Sequence, residues 1–261
     1  MKDVSKTFRS IIVTSHRGAA WLAPENTISS IKTALKYNAD RIEIDVHQSL
    51  DGELIVMHDT TIDRTTNGFG QIKNLKYSEL KKYSAGVNYS EKYVNEKIPT
   101  LNEVIKEVKG KAKLLIEVKY GNEVYPHIEA NVIRTIEHNN AQKRCIIQSF
   151  NLDILKRINQ LNPNIILHKL NFGKIPFFNI WISNKIEFEN ILKYEFIDEI
   201  SIAYPFANKQ IFNKIHNYSK KVNVWTVNNK KRIKKLVKLG VDGVITDYPN
   251  YYSDMIKSGN Q

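Results

Sequence analysis

The chain has 261 residues, 42 % of them hydrophobic and 25 % charged, enough for one large domain with a sizeable core. No linker rich in Pro, Gly or Ser and no repeat of solenoid period divides it. Its one cysteine, Cys145, excludes an intramolecular disulfide and a cysteine-built zinc site, while a formal net charge of +12 favours anionic, phosphate-bearing partners.

In chain order, the polar "MKDVSKTFRS" and the short apolar run after it lack a signal-peptide core, and nothing reaches the length of a membrane span. The expectation is a soluble, cytoplasmic protein. Short β-branched runs predict strands at Ile11–Ser15, Arg41–Val46, Leu114–Val118, Arg144–Ser149, Ile165–Leu170, Glu199–Ile202, Val222–Val227 and Val244–Thr246. Segments of helical period lie between them at Thr27–Tyr37, Leu101–Val108, Val124–Glu137, Leu152–Ile158, Ile186–Leu192, Lys209–Tyr218 and Lys230–Leu239. Asn26 or Thr27 can cap the first helix and Thr100 the second, and Gly240 stops the last. Alternating strand and helix requires parallel strands joined by crossover helices. Eight such strands in this length predict an α/β fold, the (β/α)8 TIM barrel. A doubly wound sheet fits less well, since no glycine-rich phosphate loop follows the first strand.

One piece breaks the rhythm. After Arg41–Val46 comes "HQSLDGEL" and a second apolar run, Leu54–Met57; Asp51-Gly52 is a hairpin signal and the gap is too short for a crossover helix. Leu54–Met57 is therefore expected to return antiparallel. Residues 47–99 read as an insertion subdomain within one domain spanning 1–261. Near the other end, ten Lys/Arg and no acid lie between Ser201 and Val241. In "NKKRIKKLVKLG" the apolar Ile233, Leu236 and Val237 share one helical face and the lysines the other, which describes a solvated face. Aromatic stacking positions among these residues are sparse, so no nucleic-acid partner is expected.

Three predicted strands end in polar residues that a core would not choose, at the end where barrel enzymes carry their sites. The first runs into His16-Arg17-Gly18, the second carries Glu43 and Asp45, and the third ends Ile116-Glu117-Val118-Lys119. Side chains two apart on a strand share a face, about 6.6 Å along the chain. Glu43 and Asp45 can thus converge on one ion and Glu117 can close a third side, a hard-oxygen site suited to Mg²⁺ or Ca²⁺. A bare ion-pair network, such as Lys119 with Glu43, would explain any one of these strands; acids converging from two favour a metal. Lys119 can also neutralise a phosphate oxygen. His16 and His58 are candidates for general acid and base. His127, His138, His168 and His216 read as structural, and His47 faces the site by proximity without a role. Arg17 offers a fork for two phosphate oxygens or can pair with Glu25. A serine-nucleophile elbow is absent.

At these residues the sequence resembles the glycerophosphodiester phosphodiesterase family. The likeness runs through "HRG" (16–18), "PENT" (24–27), "IEIDV" (42–46), "VMHD" (56–59), "RTTNGFG" (64–70), "IPTLNEV" (98–104), "IEVK" (116–119), "QSF" (148–150), "VWTVN" (224–228) and "GVDGVITDYP" (240–249). It is weakest from about Ile165 to Ile202. Asn38-Ala39-Asp40 stands where the family usually has Gly. The resemblance implies a barrel with a small insertion after strand two. It also implies hydrolysis of glycerophosphodiesters to sn-glycerol 3-phosphate and an alcohol with one divalent cation, Mg²⁺ or Ca²⁺, in phospholipid and glycerol metabolism. On this resemblance Glu43, Asp45 and Glu117 match the metal ligands, His16 and His58 the acid/base pair, and Arg17 and Lys119 the phosphate contacts.

"FGKIPFFNIW", residues 172–181, can line a lipid pocket, touch a membrane surface transiently, or simply cover the barrel. Trp225 can stack near the substrate or fill the barrel. Two other enzyme readings are a lysophospholipase D and a glycerophosphate-polymer phosphodiesterase. A non-catalytic barrel that binds phosphodiesters or membranes is disfavoured by the intact histidines and carboxylates.

Overall fold

The computed structural model describes residues 11–171, 174–175, 180–181 and 185–258. Its strands in chain order are β1 (Ile12–Ser15), β2 (Arg41–Gln48), β3 (Leu54–Val56), β4 (Lys113–Val118), β5 (Cys145–Ser149), β6 (Ile166–Asn171), β7 (Lys174–Ile175), β8 (Ile180–Trp181), β9 (Glu199–Ala203), β10 (Lys221–Trp225) and β11 (Gly243–Thr246). Eight of them are parallel neighbours in the order β1-β11-β10-β9-β6-β5-β4-β2, and pairing of β1 with β2 closes the ring. This is a TIM barrel. The helices are α1 (Ile28–Lys36), α2 (Tyr77–Leu80), α3 (Leu101–Val108), α4 (Ile128–His138), α5 (Leu152–Leu161), α6 (Lys185–Lys193), α7 (Lys209–His216), α8 (Lys230–Leu239) and α9 (Pro249–Ser258).

Period-2 alternation divides the strands between two cores. On β2, Ile42, Ile44 and Val46 face outward and join Ile31, Leu101, Val104 and Ile105 of the helices in one continuous apolar layer. Arg41, Glu43, Asp45 and His47 take the other face. Arg41 reaches Glu199 of β9, which is not a neighbour of β2 in the sheet, so this face lines the barrel interior. Leu115, Ile146 and Ile245 form a small apolar layer inside.

The helix ends have local causes. Thr27 and Ser30 form a capping box at α1, and Thr100 with Glu103 at α3. Gly240 ends α8 in the left-handed region with φ 90. Asn38 also sits there with φ 54, a conformation Asn tolerates well. Several elements differ from the sequence reading, three of them instructively. β2 runs on through His47 and Gln48 because β3 pairs antiparallel with them, His47 opposite Ile55 and Gln48 opposite Leu54. α4 starts at Ile128, not Val124, since Pro126 disfavours helical backbone before it and His127 is left-handed with φ 61. α9, which was not expected, buries Tyr252 and Met255 on the core.

Between β3 and α3 the insertion packs its own cluster, Ile55, Met57, Ile62, Ile72, Leu80, Ala85 and Ile98. It is tied to the barrel by the β2–β3 ladder, by the Ser29 hydroxyl donating to Glu96 at 2.5 Å, and by the Tyr89 hydroxyl donating to the Trp21 carbonyl at 2.7 Å. Of the segment 172–181, only the antiparallel pairing of β7 with β8 lies within the described residues. No helix among the described residues is long and apolar enough to cross a membrane.

Candidate active site

Register places the site. Asp45 lies opposite Glu117, Glu117 opposite Gln148, and Ser15 opposite both Ile42 and Thr246. The C-terminal ends of β1, β2, β4, β5 and β11 therefore open into one cavity of about 250 Å³, lined among others by His16, Arg17, Glu43, Asp45, His58, Glu117, Lys119 and Gln148. Phe150, Leu170, Trp225 and Ile245 form its apolar wall.

The carboxylates of Glu43, Asp45 and Glu117 are buried, and one oxygen of each lies within 4.8 Å of the others. Burial, and then the negative charge of Asp45, push Glu43 up to about 8 and raise Glu117 as well. Asp45 also suffers burial, but the charges of Lys119 and Arg17 hold it below the usual carboxylate range. Lys119 Nζ sits 2.9 Å from Asp45 and 2.8 Å from Glu117, so the ion pair it makes is with these two acids and not with Glu43. Burial disfavours the ammonium, yet Asp45 and Glu117 raise its pKa above normal. Asn26 donates to Asp45 at 2.9 Å; Thr27, not Asn26, caps α1. Gln148 donates to Glu43 at 3.3 Å, and its own amide oxygen has no protein partner among the described residues. Three mutually repelling buried acids plus an unpartnered amide oxygen form an all-oxygen donor set, which fits a hard divalent cation.

Each histidine is oriented by an aspartate. His16 Nδ1 donates to Asp247 at 2.6 Å and His58 Nδ1 to Asp59 at 2.6 Å, which fixes the ring orientation and leaves Nε2 as the nitrogen opposite the aspartate. Burial works against protonating His16, but the Asp247 hydrogen bond and the charge of Glu43 outweigh it and raise its pKa. For His58 burial wins over Asp45 and Asp59, and its pKa falls. Arg17, left-handed at φ 49, donates its backbone N–H to Glu43 at 2.9 Å and its guanidinium to Glu25 at 3.0 Å, with Nε 3.5 Å from Asp45. Gly18, at φ 82, follows it; a Cβ there would meet the Ser30 hydroxyl at 2.1 Å, so the loop lies on α1 only as glycine. His47 is buried behind the site: Tyr125 donates to its Nδ1 at 2.8 Å and its Nε2 donates to the His58 carbonyl at 3.0 Å. Trp225 lines the cavity, its Nε1 donating to the Ser201 carbonyl at 3.2 Å and its ring edge-on to Phe150.

All eight residues singled out from sequence border this cavity. Asp247, Gln148, Asp59 and Arg64 had no role in that reading. Asp247 follows β11 as His16 follows β1, and the β1–β11 neighbourhood, invisible before the barrel closes, brings them together. His168 and His216 pair with Glu199 at 3.2 Å and Asp242 at 2.8 Å, away from the cavity.

A barrel whose C-terminal mouth joins two aspartate-held histidines, three carboxylates and two cations defines a hydrolytic enzyme of phosphate esters. Comparison with known proteins narrows this. The model of the glycerophosphoryl diester phosphodiesterase family matches residues 16–251. A glycerophosphodiester phosphodiesterase of Caldanaerobacter subterraneus is 34 % identical, over 95 % of this chain and 98 % of its own. One of Bacillus subtilis is 33 % identical, over 95 % and 87 %. An Oleispira antarctica phosphodiesterase, solved with the product sn-glycerol-3-phosphate, superposes with a TM-score of 0.84 at 28 % identity, over 98 % of both chains. The chain belongs to the glycerophosphoryl diester phosphodiesterase family and is a phosphoric diester hydrolase. The family is metal-dependent, and the buried acidic triad could bind the metal.

Proposed function

We propose that this enzyme hydrolyses glycerophosphodiesters to sn-glycerol 3-phosphate and an alcohol, with His16 and His58 as general acid and base. The observation that carries the reading is the convergence of two aspartate-oriented imidazoles and the acidic triad on one small cavity. Its volume suits a polar glycerophosphate head, with Trp225 and Phe150 against the glycerol carbons. Glu43, Asp45 and Glu117 would hold one Mg²⁺ or Ca²⁺, which would supply positive charge beside the phosphoryl oxygens and acidify the nucleophile, either the glycerol 2-hydroxyl, with water then opening the cyclic phosphate, or a water directly. Arg17 and Lys119 bind the phosphate and stabilise the charge that grows on it. One histidine takes the proton from the nucleophile; the other gives a proton to the leaving alkoxide. The carboxylates of Asp247 and Asp59 keep both rings in the tautomer this needs. The insertion acts as the carrier of His58. The same chemistry belongs to phospholipid and glycerol metabolism.

The test is release of glycerol 3-phosphate from a panel of glycerophosphodiesters, with EDTA and with Mg²⁺ or Ca²⁺ restored. Activity should vanish with EDTA and in both His16→Ala and His58→Ala. Insensitivity to EDTA would remove the metal from the reading, and near-normal turnover in either variant would remove that histidine.

A lysolipid substrate drawn from a membrane surface has its own support. Trp21 and Phe69 are 64 % and 79 % exposed, and Trp21 leads through Tyr248 to Tyr251, on whose ring the Lys230 ammonium lies. Comparing glycerophosphocholine with lysophosphatidylcholine, and sedimenting the enzyme with anionic vesicles, separates the two substrates.

A further inference from the structure

We propose that Arg64 is a positioning residue: its guanidinium fixes the Asp59 carboxylate that orients His58 and ties it through Glu25 to Arg17. Histidine and phosphate-binding arginine, one from the insertion and one from the barrel, are thereby set as a single unit. The inference rests on the reading that His58 exchanges a proton during turnover.

Each link is a hydrogen bond. His58 Nδ1 donates to Asp59 at 2.6 Å, and Arg64 Nε donates to the other oxygen of that carboxylate at 2.6 Å. Arg64 Nη1 donates to Glu25 Oε2 at 3.0 Å, and Nη2 to Glu25 Oε1 at 2.7 Å and to Asp59 Oδ1 at 3.2 Å; Arg17 donates to Glu25 Oε1 at 3.0 Å. Only a guanidinium has the planar set of donors that engages two carboxylates at once; an ammonium of similar reach is a point charge.

A purely stabilising role fits poorly. The Arg64 side chain is about half exposed, so solvent screens part of what its paired carboxylates contribute to folding. The insertion is already held by the β2–β3 ladder, Ser29–Glu96 and Tyr89–Trp21. Arg64 acts instead on the one segment, His58-Asp59, that must be placed accurately over the cavity. The position of the His58 main chain is set separately, by His47.

The experiment compares Arg64→Ala, Arg64→Lys and His58→Ala with wild type in the full-length, metal-supplemented enzyme, following glycerol 3-phosphate release from glycerophosphocholine. Arg64→Ala should lower kcat by about tenfold or more, in line with the cost of small misplacements, while KM changes less. Arg64→Lys should fall between, and guanidinium ion should restore part of the lost kcat in Arg64→Ala. Without the guanidinium the Asp59 carboxylate is less neutralised and favours the charged imidazole. The limb of the pH profile titrated by His58 should therefore move to higher pH, since the other charges facing the ring, Asp45, Lys119 and Arg17, are unchanged. Wild-type kcat in Arg64→Ala or Arg64→Lys, with His58→Ala inactive, would overturn the proposal. So would a loss of kcat that tracks a lowered Tm and does not respond to guanidinium. Near-normal turnover of His58→Ala would instead overturn the acid–base reading on which the proposal stands.

Discussion

The two ends of the barrel interior bury the same kinds of side chain and reach opposite electrostatics. At the N-terminal end Glu199 accepts both arms of the Arg41 guanidinium at 2.8 Å and a hydrogen bond from Asn223 at 2.5 Å, with His168 at 3.2 Å. Burial works against its charge, but Arg41 and His168 hold it well below the usual carboxylate range. At the C-terminal end Glu43, Asp45 and Glu117 share Lys119 and Arg17, and two of the three acids are pushed up. A buried acid matched to its own cation is a structural part. Acids that outnumber their cations beside a cavity are held at a cost, and that imbalance is what a metal ion and a phosphate diester can exploit.

The contrast breaks most sharply at Glu43. Glu43→Gln should lose about a thousandfold or more in turnover, as when a key charge-stabilising group is removed, while metal-free stability stays level or rises because repulsion is relieved. Glycerol 3-phosphate release and urea unfolding in EDTA measure both, and a destabilised, active variant would erase the distinction between the two ends. Glu199→Ala should do the reverse. It strands Arg41 without a counter-charge and should cost about 3–5 kcal/mol in urea unfolding, with kcat per folded molecule largely kept.

pH separates the ends by sign. The depressed Glu199 contributes stability that is fully present above its unfolded value of about 4.5 and is lost as pH falls below it. Glu43 is raised, so the metal-free fold holds an extra proton there and loses stability as pH climbs from about 4.5 through about 8. A divalent ion needs the deprotonated carboxylates, so the rise in Tm it produces should be larger at pH 8 than at pH 5. An equal rise at both would put the ion elsewhere. The smallest effect is expected at Thr27→Ala, which opens the α1 capping box beneath the His16–Gly18 loop and should cost about 1 kcal/mol in urea unfolding, with the metal response intact.

Much of the site was legible because barrel chemistry collects at strand ends. Glu43 and Asp45 on one strand, Glu117 and Lys119 on the next, and His16 after the first can be placed from period-2 alternation alone. His58 could be placed because Asp51-Gly52 marks a turn too short for a crossover. Asp247 and Gln148 escaped because each acts on a residue 231 or 105 positions away, and no local pattern encodes that neighbour. Arg64 lies five positions from Asp59, but its second partner, Glu25, is 39 away. The true start of α4 was legible in Pro126, which disfavours helical backbone before it, whereas a short apolar pattern obscured α9.

By itself, then, the sequence determined the alternation of strands and helices, the insertion, and the residue types that suit metal, phosphate and proton transfer, since these follow from local spacing. Tertiary structure decided how they are paired. Closing the ring set β11 beside β1 and so gave His16 its aspartate. It laid Arg41 across the interior onto Glu199, and it brought Arg64 of the insertion onto Glu25 of the β1–α1 loop. The physical reason is that a charge finds its partner through space, and only the folded barrel fixes which charges are near enough to matter.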